Sequence, residues 1–209
     1  RDQDKPFIIL SPSVISPSTR EVFSGFRDEY PNTRIIFYDS VSFSALREAN
    51  KRTFDIEGIP VYRFDKAKVI AGFNADFLGS WLSPVEFAHQ YGLTRELTDK
   101  KRTMSRHYQF ESWLSLTGSN ADYRTPIRPS EEEKVLRDLY NILARNSAMR
   151  EIEKGNAGKD LTKLASDLRR NRGASLVVSG TNSLNIQLLV NAINHILGNI
   201  GHTVDFSRL

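Results

Sequence analysis

Short apolar runs alternate with segments of helical periodicity along most of this chain, and that alternation constrains the fold more than any other feature. The first apolar run is Phe7–Leu10, the second is Arg34–Asp39, and a helix-spaced stripe at Phe23, Phe26 and Tyr30 lies between them. Continuous apolar strands joined by helices are typical of parallel sheets that are buried on both faces. The pattern therefore predicts right-handed βαβ units and an α/β, Rossmann-like fold with parallel sheets flanked by helices.

The same alternation continues toward the C-terminus. Lys68–Phe73, Tyr108–Trp113 and Ala174–Ser179 are predicted as further strands, and Arg124–Arg128 is predicted as a short extended segment. Ser83–Glu86 combines an N-cap serine, a proline at the first helical position and a capping-box acid. This tetrapeptide predicts the start of a helix at Ser83.

One glycine-flanked joint is the best candidate for a linker. Gly155–Gly158 divides the chain into residues 1–154, read as one or more Rossmann-like units, and residues 155–209, read as a further α/β segment. Because the chain opens on Arg1 and ends at Leu209 soon after a glycine-rich stretch, we expect a fragment of a longer protein that completes the second segment.

Composition excludes several classes of protein. With 39% hydrophobic and 26% charged residues the chain is typical of soluble globular proteins, and no apolar run approaches the roughly 20 residues that cross a bilayer. The net charge of +4 is small, and the basic runs lie beside acids, which argues against a nucleic-acid partner. Cysteine is absent, so this chain cannot supply thiolate catalysis or iron–sulfur ligands.

Residues that could carry chemistry are few. The four histidines are scattered without metal-ligand spacing, and no nucleophile lies in a recognisable elbow, so no catalytic residue and no metal ligand is predicted. Strand–helix junctions at Ser11–Ser18, Gly72–Ser83 and Gly180–Ser183 offer helix N-termini to an anion, but none has a glycine-rich phosphate motif, and a capped turn is favoured for each. Asp39 ends a strand where nucleotide-binding folds can reach a ribose, which leaves a nucleotide-binding regulatory domain open.

Several short segments, in their order along the chain, resemble one known family. They are Ser11–Thr19, Ile59–Tyr62, Ala75–Gly79, Trp81–Pro84, Leu116–Asp122, Pro126–Pro129, Leu197–Gly201 and Gly198–Thr203. Over nearly all of its length the chain resembles the molybdopterin oxidoreductase family, specifically the large iron–sulfur subunit of bacterial alternative complex III, a quinol-oxidising membrane complex. The resemblance implies a fragment of a molybdopterin-oxidoreductase-like architecture.

The resemblance also implies where a cofactor would lie. In family members that bind molybdopterin guanine dinucleotide, strand ends and loops hold its guanosine diphosphate arms. The matching positions in this chain are Gly72, Asn74, Asp76, Asn120, Asp122, Gly180, Thr181 and Asn182. We interpret them as vestigial, because the alternative complex III subunit is understood to keep the architecture without the pterin and to carry its iron–sulfur clusters in a separate Cys-rich part.

One departure from the family pattern concerns the segment after Pro129. Members that hold the cofactor continue the Ile-Arg-Pro stretch with Gly and a Thr or Ser, whereas here Ser130 is followed by the acids Glu131–Glu133. Carboxylates at that place would repel a phosphorylated ligand.

These observations lead to an expected function. The chain is a cofactor-free scaffold, not catalytic itself, in an oxidoreductase complex that passes electrons from menaquinol toward a periplasmic acceptor. Its expected partners are the rest of the parent iron–sulfur subunit and the membrane and cytochrome subunits, at the periplasmic face of the bacterial inner membrane. The alternative is a molybdopterin guanine dinucleotide-binding module of an active oxidoreductase, and the regulatory nucleotide-binding domain is a third hypothesis.

Overall fold

The computed structural model describes residues 6–99, 102–144 and 156–207, which belong to two units that meet in sequence at residues 42 and 43. In the first unit, β1 (Phe7–Ser11) leads through α1 (Pro17–Glu29) to β2 (Thr33–Phe37), and the two strands pair in parallel. The predicted βαβ pattern at the start of the chain is therefore present.

Helix α1 packs on one face of the β1–β2 pair through aromatic side chains. The Phe7 ring lies 5.9 Å from the Phe26 ring and 5.2 Å from the Tyr30 ring, measured between centroids. The helix begins after Ser16, whose side chain accepts a hydrogen bond from the Thr19 amide, and Pro17 occupies the first turn.

The second unit contains the remaining elements. They are α2 (Ser44–Phe54), β3 (Val61–Tyr62), β4 (Val69–Phe73), α3 (Pro84–Arg95), β5 (Arg106–Glu111), α4 (Leu116–Ser119), β6 (Tyr123–Pro126), α5 (Glu132–Ala144), α6 (Asn156–Arg170), β7 (Ser175–Ser179), α7 (Leu184–Ile196) and β8 (Val204–Asp205). Two 3₁₀ turns, Phe64–Lys66 and Pro129–Glu131, precede β4 and α5. The four extended segments that the sequence predicts in this unit all form strands.

Four of these strands form one parallel sheet, in the spatial order β6-β5-β4-β7. The chain moves outward from β4 through β5 to β6 and then returns to the other side of β4 with β7. The strand order therefore reverses between β4 and β7. In open α/β sheets the crevice outside the carboxyl ends of the strands at this switch point is the usual ligand site.

Helices and aromatic side chains bury both faces of this sheet. On one face the rings of Phe73 and Phe110 stack with centroids 4.9 Å apart beneath leucines and isoleucines of α5, α6 and α7. On the other face Phe64 and Phe77 lie 4.4 Å apart and pack with residues of α3. The fold is mixed α/β with helix-flanked parallel sheets, consistent with the Rossmann-like prediction.

The expected boundary between residues 154 and 155 falls outside the described residues, as does Gly155 of the predicted linker. Gly158 lies within α6. Strand β7, from residues 155–209, pairs with β4, from residues 1–154, so the four-stranded sheet draws on both predicted segments.

The short strands β3 and β8 pair antiparallel, with Val61 opposite Asp205. This pairing was not predicted, because a two-residue strand has no detectable periodicity. No helix in the described ranges is long and apolar enough to cross a membrane.

Candidate functional site

The crevice at the switch point forms where the chain leaves β4 and β7. The Gly180 amide donates to the Phe73 carbonyl at 2.9 Å, and this hydrogen bond holds the carboxyl ends of β4 and β7 side by side. A Cβ atom on residue 180 would overlap the Asn74 carbonyl oxygen, so the close approach requires glycine. Asn74 itself has a left-handed backbone conformation, with φ of 46°.

A carboxylate of the protein fills this crevice. Glu132, the first residue of α5, is only 1% exposed. Its Oε1 accepts from Ser179 Oγ at 2.7 Å, and its Oε2 accepts from Asn74 Nδ2 and Thr181 Oγ1, both at 2.6 Å. An ionised carboxylate accepts hydrogen bonds and donates none, and three neutral donors supply the bonds that Glu132 accepts. The first turn of α5 also favours negative charge there.

The donors around Glu132 are themselves held in place. Asn74 Oδ1 accepts from the Ser112 amide at 3.0 Å and from its hydroxyl at 3.1 Å, which fixes the Asn74 amide with its nitrogen toward Glu132. The Thr181 amide donates to Ser179 Oγ at 3.1 Å, and the Thr181 carbonyl accepts from Gln187 at 2.8 Å. The polar groups of the crevice therefore form a connected network within the protein.

Asp76 lies two residues beyond Asn74 and organises the following loop. Its Oδ1 accepts from the amide and the hydroxyl of Thr117 at 3.1 and 2.8 Å, and its Oδ2 accepts from Ser80 at 3.3 Å. A Cβ atom on Gly79 would overlap the Asp76 carboxylate. In this structure Asp76 ties the β4–α3 loop to α4.

Asn120 and Asp122 lie at the opposite, amino-terminal edge of the sheet, because α4 and the turn after it carry the chain back to the start of β6. Asp122 accepts two hydrogen bonds from Arg95, at 2.7 and 2.8 Å, and one from the His107 amide at 2.8 Å. Burial raises the pKa of Asp122, but these hydrogen bonds outweigh it and hold the pKa below its usual value. Asn120 donates to the Leu116 carbonyl and caps α4.

The two remaining predicted positions also have local partners. Gly72 lies inside β4, where a Cβ atom would overlap the side chain of Gln109 on β5. Asn182 accepts from the Ala45 amide at 2.9 Å and so caps the N-terminus of α2. The structure thus brings Asn74, Gly180 and Thr181 together, while the other predicted positions serve other parts of the fold.

Only one of the three consecutive acids enters the crevice. Glu131 accepts from the Arg128 amide at 2.8 Å and closes the 3₁₀ turn, and Glu133 is exposed. Because the 3₁₀ turn occupies Pro129–Glu131, the α-helix begins only at Glu132.

A second buried polar network runs along β5 and was not predicted. Tyr91 Oη lies 3.2 Å from His107 Nδ1, His107 Nε2 lies 3.3 Å from Gln109 Oε1, and Gln109 donates to Glu111 at 3.4 Å. Arg124 donates to Glu111 at 2.6 Å. Burial lowers the pKa of His107 to about 4, so the ring is neutral at pH 7. The alternation of polar side chains at positions 107, 109 and 111 was the available signal.

In the part of the chain that the structure describes, no three His, Asp or Glu side chains are grouped to hold a metal ion. Comparison of the sequence with protein-family models and with curated proteins found no match.

Proposed function

We propose that this chain is a cofactor-free scaffold within the iron–sulfur subunit of a quinol-oxidising respiratory complex of the alternative complex III type. The position of Glu132 carries the cofactor-free part of the proposal. Its carboxylate takes up the donors of Asn74, Ser179 and Thr181 at the place where an α/β sheet of this topology would hold a ligand. The sequence resemblance supplies the assignment to that complex.

Electrostatics supports a crevice that rejects phosphate. A phosphate at the switch point would have to take hydrogen-bond donors from Glu132 and then lie beside a buried carboxylate. Two like unit charges 4 Å apart repel by about 4 kcal/mol at an effective dielectric constant of about 20. That energy corresponds to roughly a thousandfold loss of affinity, which suits a scaffold that keeps the sheet and holds no phosphorylated cofactor.

In this proposal the chain has a structural role, and other parts of the complex contain the electron-transfer centres. Because the chain has no Cys, the iron–sulfur clusters belong to another part of the parent subunit. The membrane and cytochrome subunits at the periplasmic face complete the route from menaquinol to its acceptor. The buried networks around Glu132 and along β5 give the scaffold a defined core.

The test uses the parent protein, tagged at its native locus and purified from membranes. We expect it to co-purify with menaquinol-oxidising activity and with iron, and to lack stoichiometric molybdenum and oxidised-pterin fluorescence. One equivalent of molybdenum and pterin per chain would instead establish the cofactor-binding alternative. Absence of both iron and quinol oxidation would remove the assignment to a respiratory complex, and a nucleotide-dependent rise in the melting temperature would then support the regulatory hypothesis.

A further inference from the structure

A groove of about 840 Å³ lies between α1 and β2 in the first unit. Arg20, Phe23 and Arg27 line it from the helix, at spacings of three and four residues, so they form one ridge of α1. Ile35 and Phe37 line it from the strand, and their spacing of two residues places them on one face. We call this feature the α1–β2 groove.

The α1–β2 groove has an exposed apolar floor. Phe37 is 53% exposed, and Ile15, which also lines the groove, is 87% exposed. Parallel sheets normally carry helices side by side on each face, and packed helices interlock through ridges of residues three and four apart. A helix laid beside α1 would cover this apolar floor.

The charge of the groove specifies its partner further. Arg20 and Arg27 line it from α1, and no acidic residue is among its lining residues in the described part of the chain. Arg34 lines it from β2, although its side chain alternates to the strand face opposite Ile35 and Phe37. Arg27 and Arg34 form no ion pair with any described residue. Arginines around an apolar floor are complementary to a helix that has an apolar face and acidic flanks.

We propose that the α1–β2 groove is the docking site for an amphipathic helix with acidic flanks, supplied by a partner polypeptide. Apolar side chains of that helix lie against Phe23, Ile35 and Phe37, and its carboxylates pair with Arg20 and Arg27 of α1, while Arg34 adds positive charge beside the groove. This inference does not depend on the function proposed above, because it rests on the first unit alone.

Binding of synthetic peptides to the full 209-residue chain tests the proposal. The probe is a fluorescent peptide of about five helical turns, with leucine on one face and glutamate on its flanks. Fluorescence anisotropy is expected to show saturable binding that weakens with salt. Replacing the glutamates by lysines, or interrupting the helix with prolines at the same net charge, is expected to weaken binding at least about tenfold.

Charge reversal locates the site. The combined variant Arg20→Glu, Arg27→Glu and Arg34→Glu should bind the acidic peptide at least about tenfold more weakly. A control variant with the same change in net charge, Lys68→Glu, Arg137→Glu and Lys159→Glu, reverses exposed residues outside the groove and should change binding less than about twofold. Circular dichroism verifies that both variants are folded.

The peptide series on the unmodified chain decides the question even if a variant misfolds. No binding of the acidic peptide at millimolar concentration, or equal binding of the proline-interrupted peptide, would overturn the proposal. Equal losses in the groove and control variants would also overturn it. Binding to phosphatidylserine vesicles without binding to the peptide would replace the partner helix by a membrane surface.

Discussion

Replacing Glu132 by alanine should remove a large share of the stability of the second unit. The substitution deletes the acceptor of three hydrogen bonds and leaves buried donors on Asn74, Ser179 and Thr181. Hydrogen bonds to charged groups contribute about 1.5–3 kcal/mol each, and an unsatisfied buried donor costs about 1–3 kcal/mol. Three unsatisfied donors would together cost about 3–9 kcal/mol. Because both hydroxyls can rotate toward other acceptors, we expect a total loss near the lower end of that range, about 3–5 kcal/mol.

Glu132→Gln is the informative companion variant. Its amide oxygen can take the position that accepts from Asn74 and Thr181, and its nitrogen can donate to the Ser179 hydroxyl. We expect a loss of only about 1–2 kcal/mol, since neutral hydrogen bonds replace charged ones.

Urea unfolding followed by circular dichroism measures both losses, with an unchanged slope as the sign that the transition itself is unaltered. Glu133→Ala, at an exposed position on the same helix, is the control and should stay within about 0.5 kcal/mol of the unsubstituted chain. A loss below about 1 kcal/mol for Glu132→Ala, or equal losses for the alanine and glutamine variants, would refute the network described for the crevice.

Three further predictions concern other parts of the chain. The folded pKa of His107 is about 4, below the unfolded value near 6.5, so the stability that its neutral form contributes is present above pH 6.5 and is lost as the pH falls toward 4. The free energy of unfolding should therefore fall by about 2 kcal/mol between pH 6.5 and 5. In urea unfolding, the free energy of His107→Gln should change less with pH in that window, and parallel pH profiles of the two proteins would contradict this. Gly180→Ala should destabilise the protein by about 1–3 kcal/mol because the added Cβ overlaps the Asn74 carbonyl. The control Gly25→Ala, which has open space around an exposed helical position, should stabilise it by about 0.5–1 kcal/mol. Equal shifts of the two variants in thermal unfolding would disprove the overlap. Ser83→Ala should change the free energy of unfolding in urea by less than about 0.5 kcal/mol, because the Ser83 hydroxyl makes no capping bond. A loss of about 1 kcal/mol would show that the cap forms in solution.

The strands were predictable because their signal is strong and local. Val69–Phe73 and Ser175–Ser179 are buried along their whole length, so their sequences are almost continuously apolar. The positions of helix starts were predicted more accurately than their capping hydrogen bonds. Helix α3 begins after Ser83 as predicted, yet the expected capping box is absent, since Glu86 instead accepts a hydrogen bond from Gln90.

The crevice was predictable in part. Asn74 and Thr181 follow neighbouring strands, so their proximity follows from the parallel sheet. The position of Asp122 depends on whether the chain returns to the amino-terminal edge of the sheet before β6. That return could not be predicted from the sequence. Glu132 could not be separated from the acids beside it, because each residue turns about 100° around a helix and the preceding 3₁₀ turn decides which one faces inward.

Calorimetry with guanosine diphosphate, at low salt, tests most directly whether Glu132 keeps an anionic cofactor out of the crevice. The unsubstituted chain and Glu131→Gly, the control outside the crevice, should give no binding heat at millimolar ligand. Glu132→Thr should gain measurable affinity, which weakens as salt shortens the screening length to about 8 Å at 0.15 M. Binding by the unsubstituted chain with the same affinity as Glu132→Thr would contradict the proposed role of Glu132, and a folded Glu132→Thr variant that binds nothing would remove repulsion as the cause.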